Sequence, residues 1–116
     1  MQYLLLIYEN ESGKNVKESG RDAMMQEYRE FTDSIVKSGH MRGGNALQPT
    51  RTATTVRVRD GKALTTDGPF AETREQLGGY YLVEAKDLDD AIKIAGRIPS
   101  ARWGCVEVRP IMVFAQ

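Results

Sequence analysis

Six consecutive apolar or aromatic positions, Tyr3 to Tyr8, run into the polar turn formers Glu9-Asn10-Glu11-Ser12-Gly13. A run of that length predicts a strand covered on both faces, and therefore a central one. Polar residues from Asn10 to Gly20 predict a loop. Between Arg21 and Ser38 the period changes: Met24, Tyr28, Phe31 and Ile35 follow one another at helical spacing, with Met25, Thr32 and Val36 alongside. Glu27, Arg29, Glu30, Asp33 and Lys37 fall on the opposite, wet side of this predicted helix. Ser19 is placed to cap its start, and Gly39 stands just past its end.

The stretch Met41 to Pro49 is rich in turn residues and leaves room for a short strand before Pro49. From Thr52 to Arg59 the pattern alternates, and Lys62 to Thr66 continues it after Asp60-Gly61. A two-residue Asp-Gly loop between such runs predicts a hairpin, because both positions of a type I′ turn need φ > 0. Asp67 to Gln76 reads as a loop, and Gly78-Gly79 as a turn that introduces the strand Tyr80–Ala85. Asp87 caps a second helix from Leu88 to about Arg97, with Leu88, Ala91, Ile92 and Ala95 as its expected inner face. Pro99 stops it, and a last strand is expected over Val106–Arg109.

This order gives one α+β domain over residues 1–116: a ferredoxin-like split βαβ with an inserted β-hairpin. Both helices then share one sheet face. The apolar residues on both sides of the first strand predict that the other face is covered by a second copy, giving a homodimer through packed sheets.

Composition narrows the function classes. Sixteen basic residues balance sixteen acidic ones with no cationic cluster, which disfavours a nucleic-acid partner. The apolar run near the start is too short for a membrane span or a signal core, so no membrane partner is expected and a cytoplasmic location is. The single Cys105, beside Trp103 and Val106, reads as a buried structural thiol. One His and one Cys far apart supply no metal-ligand spacing, and neither Gly pair has the context of a nucleotide loop. No cofactor is expected.

Three stretches, Ala53–Lys62, Asp67–Thr73 and Gln76–Tyr81, resemble the YCII-related family, and within it the branch named for its Asp-Gly-Pro-Phe motif. The closing Val106-Glu107-Val108-Arg109-Pro110 fits as well, so the likeness covers nearly the whole chain. The resemblance implies a ferredoxin-like fold that dimerises into an α+β barrel. It also implies a cleft in which some relatives use a His–Asp pair, small-molecule lyase activity in at least one of them, and a frequent gene neighbourhood with alternative sigma factors.

Two functional expectations follow. One is small-molecule binding in a cleft near Asp67, with cofactor-free acid–base chemistry of lyase or isomerase type. The other is a non-catalytic interaction module in a sigma-factor circuit. Asp67 can act as an acid–base group or hydrogen-bond the N–H groups of its own turn. His40 is the one side chain that normally titrates near neutrality, yet it follows the first helix, where an exposed turn residue is equally natural. Arg21, Asp22 and Glu27 stand where a histidine of the dyad relatives would fall. Tyr8, Tyr28, Phe70 and Glu72 are the candidate ligand-binding residues, and the same aromatic residues equally suit core or dimer packing.

Overall fold

Alternation along the first strand sets the architecture. In β1 (Gln2–Glu9) the side chains of Tyr3, Leu5 and Ile7 are buried, whereas Leu4, Leu6 and Tyr8 are half-buried. The computed structural model of the protein describes residues 1–11 and 20–114; the proposed Ser19 cap lies outside them. The further elements are α1 (Arg21–Lys37), β2 (Met41–Ala46), β3 (Thr54–Arg59), β4 (Lys62–Asp67), β5 (Gln76–Glu84), α2 (Leu88–Ala95) and β6 (Cys105–Pro110).

Four strands form an antiparallel sheet in the order β2-β5-β1-β6, while β3 and β4 pair only with each other. With the hairpin set aside, this is the ferredoxin-like order. β1 lies between β5 and β6, which explains its continuous apolar run. In antiparallel pairing, residues directly opposite share a face. Tyr3, Leu5 and Ile7 therefore share one face with Val83, Tyr81, Val106 and Val108. That face meets Phe31 and Ile35 of α1 and Ala91, Ile94 and Ala95 of α2 in one core, so both helices lie on it.

Local chemistry explains the element ends. Gly39 follows α1 with φ +82°, a left-handed conformation suited to glycine. Asp87 accepts the Asp90 N–H at 2.9 Å and so caps α2. Asp60 and Gly61 both have positive φ, as a type I′ turn requires.

The structure corrects several expectations. Leu88 and Ile92 are half exposed; the buried face of α2 is Ala91, Ile94 and Ala95, because the helix docks rotated so that Ile94 rather than Leu88 and Ile92 meets the core. Gly43-Gly44 and Gly78-Gly79 are strand residues of β2 and β5 rather than turns. Gly78 is the extra residue of a β-bulge: Ile7 faces Gly79, and the next residue, Tyr8, already faces Leu77. Cys105 is exposed, because it opens β6 beside Tyr8 on the sheet face away from the helices.

The inserted hairpin makes the molecule broad. The radius of gyration is 16.3 Å, against about 13 Å for a compact chain of this length. From Thr54 to Asp67, only Thr55 is not exposed. Among the described residues, no helix is long and apolar enough to cross a membrane.

Two substitutions probe this packing. Leu5 is fully buried at the sheet centre, so Leu5→Ala should cost about 3 kcal/mol of unfolding free energy. A Cβ on Gly104 would lie 2.1 Å from the Tyr8 carbonyl oxygen, so Gly104→Ala should cost at least about 2 kcal/mol. Chemical denaturation measures both.

Candidate functional site

The first helix does not lie evenly on the sheet. Its C-terminal half is packed down through Phe31 and Ile35, whereas in its N-terminal half Met25 and Arg29 are exposed and Tyr28 is half-buried. Beneath that half, β2 and β5 present Gly44, Gly78 and Gly79, which have no side chains to fill the gap. The result is a pocket of about 580 Å³, a size suited to a small molecule. Ile7, Met25, Tyr28, Met41 and Tyr81 supply its apolar walls, and Glu9, Arg29, Asp33 and Asn45 also line it.

Most of the polar side chains around the pocket are held in place. Thr32 Oγ1 and the Tyr81 hydroxyl lie 2.8 Å apart, linking α1 to β5. The Tyr81 ring is fixed edge-on against Phe31, with centroids 5.2 Å apart. The Tyr28 hydroxyl bonds to Ser100 Oγ, which is buried in the 3₁₀ turn Pro99–Arg102. Burial raises the Tyr28 pKa above its ordinary value, partly offset by the Ser100 hydrogen bond. Glu9 accepts the Trp103 indole N–H at 2.8 Å, and Asn45 donates to the Tyr80 hydroxyl at 2.8 Å. Arg29 donates to Gln26 at 2.9 Å. Asp33 has no hydrogen-bond or ion-pair partner among the described residues, leaving its carboxylate available to a ligand.

Of the sequence-predicted site residues, the structure places only Tyr28 on this pocket. Tyr8 lies on the outer face of the sheet, opposite Leu77 and Cys105. Asp67 ends β4 across from Thr54 and is exposed, as are Phe70 and Glu72. The turn after Asp67 is closed by other groups: the Gly68 N–H reaches the Ala53 carbonyl at 2.7 Å, and Thr55 donates to the Gly68 carbonyl at 2.8 Å. The Asp67 carboxylate bonds to no described residue. Gly68 has φ +94°, which makes glycine the fitting residue there.

His40 does face an aspartate, but this is Asp90 and not Asp67. Its Nε2 lies 3.4 Å from Asp90 Oδ2 and its Nδ1 lies 2.6 Å from Ser38 Oγ, at the end of α1 and outside the pocket. The Lys86 backbone N–H donates to Asp90 at 3.0 Å and, with His40, holds that carboxyl below its usual range. The Cys105 thiol is pushed up, first by partial desolvation and then by the Glu75 carboxylate, 3.7 Å away. Among the described residues, no three His, Cys, Asp or Glu side chains are grouped so as to hold a metal ion. Sequence reasoning missed Thr32, Tyr81 and Met41 as site residues. The signal that could have found them is the glycine pairs, once these are placed on strands rather than turns.

Fold and pocket together define an α+β protein of ferredoxin-like topology with a small-molecule-sized cavity at the open end of its first helix. The chain belongs to the YCII-related family: the family model described as YCII-related domain matches residues 1–115. It is also similar to an uncharacterised protein of Rhizobium meliloti (strain 1021), with 34% identity over 117 residues, covering 98% of this chain and 94% of that one.

The raised Tyr28 pKa gives a pH prediction with a definite sign. The folded state favours the protonated phenol, so this contribution to stability is full below about pH 10 and is lost as pH rises through the raised value. Tyr28→Phe should flatten the fall of melting temperature with alkaline pH. Thermal unfolding followed from neutral pH upward checks it.

Proposed function

We propose that the protein binds a small, mostly apolar molecule in the pocket between α1 and the β2–β5 edge. The observation that carries this reading is the hydroxyl pair of Thr32 and Tyr81 beside a floor of glycines. A floor without side chains admits a flat ring, and two hydroxyls that can each donate or accept suit a phenol or carbonyl oxygen. Glu9 and Asp33 add two carboxylates and Arg29 one guanidinium, so small ring-bearing phenols, and acids that pair with Arg29, are the ligand class. Cofactor-free proton transfer of lyase or isomerase type would use Asp33, which lines the pocket, with Thr32 and Tyr81 orienting the substrate. Asp67 lies outside the lining.

The working form we propose is a homodimer packed through the outer sheet face. Leu4, Leu6 and Tyr8 of β1 and Leu77, Tyr80 and Leu82 of β5 lie on that face, each partly exposed. Met112, Val113 and Phe114 beyond β6 are also exposed, adding apolar surface that a second copy would cover. An exposed free thiol at Cys105 suits a reducing, cytoplasmic setting.

Thermal-shift screening with pools of small aromatic and alicyclic acids and phenols, followed by calorimetry, tests the pocket. A ligand is expected whose affinity falls at least about fivefold, or about 1 kcal/mol, in Thr32→Val or Tyr81→Phe. Failure of every pool, or a ligand indifferent to both substitutions, sinks the proposal.

A further inference from the structure

The hairpin of β3 and β4 has two unlike faces. Thr54, Val56 and Val58 share one with Asp67, Thr65 and Ala63 across the ladder, its apolar part lying toward the Asp60-Gly61 turn, while Thr55, Arg57 and Arg59 share the other with Thr66, Leu64 and Lys62. The charged face belongs in water. The apolar face is in water too: Val56 is 59% exposed and Val58 63%. A two-stranded hairpin alone is at best marginally stable, and needs further strands or a packed surface to persist. Among the described residues neither is supplied, since β3 and β4 form their own sheet and almost all their side chains are exposed.

From these observations we propose that the Val56, Val58 and Ala63 face of the hairpin is a clasp that lies on a second copy of this chain. Area favours that occupant. Six-residue strands at about 3.4 Å per residue and 4.8 Å spacing give the hairpin a face of roughly 200 Å². The outer face of the four-stranded sheet offers roughly 400 Å² by the same measure. Neither patch alone approaches the ~800 Å² per partner of a stable interface, so an unrelated protein held by the hairpin face alone would be held weakly. A two-fold pair uses every patch twice. Each copy gives its sheet face and its clasp and receives the other's clasp, which brings the total to about 800 Å².

The clasp rests on the sheet-face dimer proposed above, and the test separates the two. Sedimentation equilibrium on the full chain should show a dimer. Val56→Asp with Val58→Asp should raise its dissociation constant at least about 30-fold, whereas Arg57→Ala with Leu64→Ser, on the opposite face, should change it less than about threefold. Leu6→Asp reports on the sheet face independently. A photo-crosslinking residue in place of Val58 should join two copies in the purified protein, which keeps the test intact even where the double Asp variant folds poorly. A chain that stays monomeric at high concentration overturns both readings. A dimer weakened by Leu6→Asp but unaffected by the double Asp substitution, with no crosslink from position 58, overturns the clasp alone. Crosslinks from position 58 that form only to a different protein also overturn it.

Discussion

The height of α1 above the sheet is the constraint on which the rest of the molecule depends. Phe31 and Ile35 bring its C-terminal half into the core formed by Tyr3, Leu5 and Val83, and the Phe31 ring meets Tyr81 edge-on. Where bulky side chains face each other in this way, helix and sheet close completely. One turn nearer the start of the helix, the strand positions below are glycines and the same rigid rod leaves a gap. Pocket and core are thus two ends of one interface, separated by a change in side-chain volume.

Polar contacts hold the open end at its distance. Tyr28 is bonded to Ser100, Glu27 is paired with Arg102, and Glu9 takes the indole N–H of Trp103. All three tie the pocket side of the molecule to the turn between α2 and β6. Exposed ion pairs such as the Glu27–Arg102 contact add little stability. The buried Ser100 and half-buried Tyr28 matter more, because breaking that bond would leave a polar group without water or a partner. The cavity is therefore braced from the side opposite the core contacts, which favours a preformed site over one assembled around its ligand.

Much of this architecture was legible in the sequence because its signals are local or periodic. The spacing of Met24, Tyr28, Phe31 and Ile35, the Asp60-Gly61 turn and the Asp87 cap each encode their element within a few residues. The pocket was less legible, because it is defined by missing volume. Gly44, Gly78 and Gly79 carry no pattern that distinguishes a turn from a strand under a cavity. Thr32 and Tyr81 meet only through pairing across 49 residues. The Asp-Gly-Pro-Phe segment, conspicuous along the chain, closes a hairpin through the Gly68 backbone. The inner face of α2 shows another limit: Leu88 and Ile92 are as apolar as Ile94, and only the docking angle decides which of them is covered.

The bulge at Gly78 gives β5 a phase. Because one residue is left over opposite Ile7 and Tyr8, Leu77 turns to the apolar outer face and Gln76 stands across from Glu9. Were the strand to run on without the bulge, Gly78 would stand opposite Tyr8 and the two sides of the strand's beginning would exchange, placing a leucine on the helix side and a glutamine among the outer leucines. The bulge thus sets which side each residue at the start of β5 takes, whereas the hairpin, whose two strands pair with each other, can lengthen or shorten in steps that keep its register. Drift in this lineage should therefore accept length changes freely in the arm and, in β5, only those that keep Leu77 on the outer face.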